Sequence, residues 1–332
     1  MRLRPRVIEG RASAELRRQL REEKRPLVSI GGATAHHAQL AEATGFKLFA
    51  LSGSQASAHI LGMPDAGLMT MSEVVDNARR ICQAVSIPVL ADCETGFGNV
   101  LNTTRAVGEL IAAGVAGLFI EDQVFPKRCG FTKGLEIIPA DEAVGKLRAA
   151  MAVRDQLDPD VVIMARTDSR ACVGGSLDEV LRRCEAYLGA GVDMLMITAL
   201  QSREEIRAVR EAFPDALLQL NISGLNPPLT EDEFRDFGIS IVDVSISKIA
   251  QMMMFDFLTR LRRDGIAAFN EFTDAHKDHP IGMFGFLELT GFPKLLEIER
   301  TFLGADALAK YDQSMGLYDP RAQKDEPAGA AS

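Results

Sequence analysis

The sequence predicts an α/β chain folded as a (β/α)8 barrel with an N-terminal helix and a C-terminal helical extension. Three observations predict it. Short apolar runs recur at Leu27–Ile30, Lys47–Leu51, Val89–Ala91, Gly117–Ile120, Val161–Ala165, Met194–Ile197, Leu217–Ile222 and Ile239–Val244. Between them lie segments with helical spacing, such as Val74, Val75, Ala78, Ile81 and Val85, and strands alternating with helices pair in parallel through right-handed crossovers. The repeated units together span roughly 250 residues, the size of a closed eight-stranded barrel. An open doubly wound sheet is the competing architecture. No G-x-G-x-x-G opens a helix after a strand, which counts against it.

In chain order, Met1–Arg25 is rich in Arg but also holds Glu9, Glu15, Glu22 and Glu23, and it has no apolar stretch of the kind a secretory signal needs. It reads as a short arm and a first helix. The barrel, with this helix, is expected over residues 1–266. The segment 267–320, with the amphipathic stretch Phe292–Phe302, is expected as a helical extension packed outside a closed barrel or on another subunit. Residues 321–332 are small and polar and read as a disordered tail.

Composition bounds the function. A net charge of −9 argues against nucleic acid or an anionic membrane as the main partner. No apolar run approaches a membrane span. The cysteines, Cys82, Cys93, Cys129, Cys172 and Cys184, are odd in number and lack C-x-x-C spacing, as free thiols in a reducing compartment would. A cytoplasmic enzyme of small molecules is the expectation.

In a barrel, chemistry sits where strands end. The third run ends in Asp92-Cys93-Glu94-Thr95-Gly96-Phe97-Gly98. If strand pairing persists, Asp92 and Glu94 share a face, and two acids there form a partial shell for a hard divalent cation such as Mg²⁺. A solvated strand end before a turn is the alternative. The loop after the fourth run carries Glu121 and then Lys127-Arg128-Cys129-Gly130-Phe131. Adjacent cations lower a thiol's pKa, and Pro126 and Gly130 suit a mobile lid; an incidental surface cysteine is the other reading.

Together these stretches resemble the isocitrate lyase and phosphoenolpyruvate mutase superfamily, whose metal strand reads D-x-D-T-G-[FY]-G and whose lyase-branch lid reads K-[RK]-C-G-H. Supporting matches are Leu51-Ser52-Gly53-Ser54, Gly62–Gly67, Ile120–Gln123, Ala165–Asp168 and Asn221-Ile222-Ser223, in the family's order from about residue 14 to residue 262. The branch it is most similar to holds methylisocitrate lyase, dimethylmalate lyase and the petal death protein.

The resemblance implies a carbon–carbon lyase that splits a 2-hydroxy dicarboxylate into a 2-oxo acid and a carboxylate through an enolate. It implies Mg²⁺, with Mn²⁺ as an alternative, held by Asp65, Asp92, Glu94 and Glu121. The Ser52-Gly53-Ser54 backbone would grip the oxo-acid carboxylate. Arg166 would stabilise the enolate, Cys129 would exchange the proton, and Lys127 and Arg128 would close the lid, with Gly130 against the ligand. Asn221 and Ser223 would bind a second carboxylate, and Thr198 would border the substrate. A homotetramer with a C-terminal helix crossing between subunits is also implied. Oxaloacetate or phosphonopyruvate chemistry, or a barrel that binds oxo acids without turnover, are the alternatives.

Four positions depart from the family pattern: Glu94 for Asp, Phe131 for the lid His, Thr198 for Glu, and Ala50 for Tyr. They make the pocket less polar and favour a dicarboxylate with an apolar substituent over a tricarboxylate. His36, His37, His59, His276 and His279 form no metal pattern.

Overall fold

The computed structural model describes residues 11–23, 25–221, 225–309, 311 and 314–316. Parallel strands β1 (Leu27–Gly32), β2 (Phe49–Leu51), β3 (Val89–Asp92), β4 (Gly117–Glu121), β5 (Val162–Thr167), β6 (Met194–Thr198), β7 (Leu217–Asn221) and β8 (Ile241–Ser245) close into a barrel in sequence order. β1 meets β8 with Ser29 opposite Asp243. The predicted fold is therefore observed.

The helices are α1 (Ala12–Glu22), α2 (Ala35–Ala43), α3 (Gly53–Ala56), α4 (Met71–Ala84), α5 (Val100–Ala113), α6 (Ala140–Leu157), α7 (Leu177–Gly189), α8 (Arg203–Ala212) and α9 (Glu231–Asp236). A π-turn, Ser57–Leu61, follows α3. Side chains set several helix starts. Thr70 and Glu73 form a capping box on α4, and Asn99, Ser176 and Ser202 accept backbone N–H bonds at the heads of α5, α7 and α8.

Strand alternation sorts the core into two layers. Val89 and Ala91 of β3, with Ile163 and Ala165 of β5, point outward and pack against helix residues such as Ile81, Leu110 and Tyr187. Leu90, Phe119, Met164, Met196 and Ile241 point inward and fill the barrel. Ala12 and Leu16 of α1 join this inner cluster. Ser13 Oγ donates to Asp158 Oδ2 at 2.9 Å and Arg17 Nη2 to Asp193 Oδ1 at 2.9 Å, which ties α1 to the turns that lead into β5 and β6. α1 therefore closes the amino end of the barrel and leaves the carboxyl end as its mouth.

The chain divides into two compact units with the break after Met252, inside α10 (Ile246–Asp264) and upstream of the expected boundary at 266. The described residues of the second unit continue as α11 (Ile266–Ala275), α12 (Met283–Leu289), α13 (Phe292–Phe302) and α14 (Ala305–Ala309). The rings of Phe257 and Phe272 lie 4.9 Å apart there, and Phe272 stacks on His276 at 4.1 Å. The expected tail, 321–332, lies outside the described residues.

Candidate active site

β3 ends at Asp92, so strand pairing does not carry Glu94 to the same face as expected. The chain instead turns through a left-handed backbone at Glu94, φ 52°. The two carboxylates still converge. A Cβ placed on Gly53 would stand 2.6 Å from both Asp92 Oδ2 and Glu94 Oε1, so only glycine fits there. Two backbone amides fix Asp92: Gly53 N donates to Oδ2 at 3.0 Å and Glu94 N to Oδ1 at 2.9 Å.

Lys127 departs most from its expected place. It is 2% exposed and lies inside the acid cluster, not on a lid surface. Its ammonium is 2.6 Å from Glu94 Oε2, 3.0 Å from Asp65 Oδ1 and 3.3 Å from Glu121 Oε1. Burial alone would lower its pKa, but Asp92, Glu121, Glu94 and Asp65 hold it well above the ordinary lysine value. Burial, then the charge of Asp92, pushes Glu94 up to about 8, and burial pushes Glu121 up to about 7. Glu94 Oε2 and both Glu121 oxygens face cations without a directed hydrogen bond.

Arg166 bridges this cluster to the next layer, with Nη1 3.0 Å from Glu121 Oε2 and Nη2 3.1 Å from Asp168 Oδ1. Thr198 also departs from its expected role as a direct substrate neighbour. It is 3% exposed, and its hydroxyl is 2.6 Å from Asp168 Oδ1, so it reaches the site only through Asp168. Gln123 Nε2 donates to Asp168 Oδ2 at 3.1 Å and Gln123 Oε1 accepts the Arg128 amide at 2.9 Å, which joins the lid to this layer.

Behind it, Asp122 accepts from the Asp168 amide, Thr167 Oγ1, Arg183 Nη1 and the Tyr187 hydroxyl. Buried charge is tolerable there because every oxygen is paired. α7 thereby fixes the ends of β4 and β5.

The Ser52-Gly53-Ser54 segment is only partly available as a backbone cradle. Ser52 N is used by Gly32 O and Gly53 N by Asp92. The hydroxyls of Ser52 and Ser54, 3.2 Å apart, line a cavity of about 80 Å³ together with Asp65, Asp92, Cys129, Gly130 and Arg166. Gly130 passes close over the Arg166–Asp168 pair, its Cβ position 3.0 Å from Arg166 Nη2. Arg128 is exposed, and its guanidinium lies over Gly134 of its own loop, away from the cluster. Asn221 closes β7 opposite Thr198. Ser223 lies outside the described residues.

The cavity opens into a bay of about 570 Å³. Phe131, 67% exposed, Gln219 and Asp243 line both spaces. Gln219 and Asp243 are functional candidates that the sequence reading missed, although each is a polar residue inside an apolar run, an arrangement unusual for a buried strand. Asp243 is exposed toward the bay, and the protein packed around its carboxyl removes enough solvation to raise its pKa to about 6.

The donor set fits a hard cation. Three carboxylate oxygens already surround one cation-sized point, and oxygen donors are what Mg²⁺ and Mn²⁺ take. Among the described residues no three acid, thiol or imidazole groups are drawn up at metal-ligating distances, because the Lys127 ammonium holds the centre.

Known proteins carry the same frame. The chain is 36% identical to the 2,3-dimethylmalate lyase of Eubacterium barkeri over 288 residues, 86% of this chain and 96% of the relative. A solved structure of 2,3-dimethylmalate lyase superposes with a TM-score of 0.80 at 28% identity, covering 90% of this chain and 97% of that one. A phosphonopyruvate hydrolase solved with oxalate and Mg²⁺ superposes with a TM-score of 0.76 at 30% identity, covering 89% and 100%. The family profile described as phosphoenolpyruvate phosphomutase matches residues 16–261, so the chain belongs to that family, within the phosphoenolpyruvate mutase/isocitrate lyase superfamily.

Proposed function

We propose that the protein is a Mg²⁺-dependent carbon–carbon lyase that splits a 2-hydroxy dicarboxylate into a 2-oxo acid and a carboxylate. The observation that carries the reading is one cavity lined by Asp65 and Asp92, by the guanidinium of Arg166 and by Cys129. Asp65, Asp92, Glu94 and Glu121 would hold the metal, and Mn²⁺ suits the same oxygens. A bound divalent ion polarises the oxo-acid oxygens and offsets developing negative charge.

Arg166, held from two sides by Glu121 and Asp168, presents a fixed positive charge where the enolate forms. Cys129 lines the same cavity as the group that gives or takes the proton at the carbon released by cleavage. The Ser52 and Ser54 hydroxyls orient the oxo-acid carboxylate. Phe131 and Ala50 leave apolar wall where a third charged group would otherwise sit.

The test is release of 2-oxo acid from 2-alkylmalates, 2-methylisocitrate, isocitrate and oxaloacetate, each with and without EDTA. Metal-dependent release from a hydroxy acid is expected. Release from oxaloacetate alone would move the protein to decarboxylase or hydrolase chemistry.

A homotetramer in which a C-terminal helix crosses between subunits belongs to the same reading. Apolar side chains exposed on the barrel's outer face, Val28 on β1 and Val244 on β8, support it, as do Met253, Met254 and Phe255 within α10. Sedimentation as a monomer would refute it. No described helix is long and apolar enough to cross a membrane. A cytoplasmic location is proposed from the unpaired cysteines.

A further inference from the structure

Inward positions of the barrel are apolar on most strands, but the sector β7–β8–β1 breaks the pattern. On β8, Asp243 shares the inward face with Ile241, and across the β1–β8 seam it stands opposite Ser29. On β7, Gln219 is 3% exposed, and its Oε1 has no hydrogen-bond partner. A buried amide oxygen left unpaired is destabilising, so a position that keeps one is explained when a ligand completes it. Gln219 and Asp243 both line the catalytic cavity and the adjoining bay, so they stand at the junction of the two. Beyond them the bay wall turns apolar at Leu229 and Phe234.

We propose that this junction is a second subsite, which accepts a hydrogen-bond-donating substituent of the substrate, a hydroxyl or an amine, and turns away a further carboxylate. The inference rests on the lyase reading above and specifies its substrate. The Asp243 carboxylate only accepts, whereas the Gln219 amide accepts through Oε1 and donates through Nε2, so the pair matches a group such as a hydroxyl that donates to Asp243. An acceptor-only carboxylate would meet a second carboxylate, and like charges placed together in an interface cost several powers of affinity. Lys248, exposed on α10, is the cation that also lines the bay, and it is the competing site for an anion.

The test uses the full chain with Mg²⁺ and reads competition against oxalate. The probes are 2-propylmalate, 2-(3-hydroxypropyl)malate and 2-(2-carboxyethyl)malate, which share a three-carbon arm. The hydroxypropyl compound is expected to bind the wild type tightest, and the carboxyethyl compound weakest by about tenfold or more. Asp243→Asn should bring the carboxyethyl compound up to the propyl compound, and Gln219→Leu should erase the advantage of the hydroxyl. If a variant fails to fold, the wild-type ranking decides alone. Tightest binding of the carboxyethyl compound, above all if Lys248→Gln abolishes it, overturns the proposal. So does equal binding of all three while oxalate still binds. Loss of oxalate binding itself would instead strike the lyase reading.

Discussion

Lys127 Nζ stands 2.6 Å from Glu94 Oε2, at a point also shared by Asp65 and Glu121. Lys127 therefore serves as a buried cation of the acid cluster. Lys127→Met would leave buried carboxylates uncompensated, at a cost of about 3–5 kcal/mol without metal. Saturating Mg²⁺ should restore much of that loss. Urea unfolding in EDTA and in Mg²⁺ measures both, and an equal loss in the two conditions would contradict the arrangement.

Cys129 and Arg166 line the same cavity. Cys129→Ser keeps the size but replaces the thiol with a hydroxyl. Release of 2-oxo acid should fall by about 10²- to 10⁴-fold, while oxalate binding in Mg²⁺ persists. Full turnover by the serine variant would remove the thiol from the chemistry.

Thr198 holds Asp168, and Asp168 holds Arg166. Thr198→Val deletes one hydrogen bond to a buried carboxylate and should cost about 1–3 kcal/mol of stability. kcat should fall with it, because Arg166 loses its fixed orientation. Thr198→Ser should recover both. A valine variant with unchanged kcat would show that Asp168 needs no such support.

Glu179 is held by Arg182 and Arg183, which lower its pKa from 4.5 to about 2. The depressed folded value sets the sign: the contribution is present above pH 4.5 and is lost as pH falls toward 2. Much of the side chain meets solvent, so screening limits it to about 0.5–1 kcal/mol. Glu179→Gln should therefore be less stable than wild type at neutral pH and should match it near the acid end of that window. A constant difference across pH would exclude the ionic cause.

The strands and their order were legible because barrel strands are buried on both faces and read as unbroken apolar runs. Asp92 and Glu121 were legible for the same reason, since each ends such a run, whereas Asp65 was expected only from the resemblance. What the sequence concealed lies in turns and in long side chains. Glu94 reaches Asp92 by a left-handed turn, not by strand parity. Lys127 was read by its chain neighbour Cys129, yet its flexible stem carries the ammonium to acids far along the chain. Arg183 carried no signal in the sequence, yet Asp122, distant in the chain, pairs with it in the interior. Gln219 and Asp243 were hidden by the apolar residues on either side of them.

The floor made by Ala12 and Leu16 leaves the carboxyl end as the way in and out among the described residues. Two fragments formed there would leave past the same residues, and the one nearer Phe131 is expected to go first. Their release is ordered by position, and the two products should inhibit in different ways. The first to leave would bind only enzyme that still holds its partner and so would inhibit noncompetitively, and the last would compete directly with substrate.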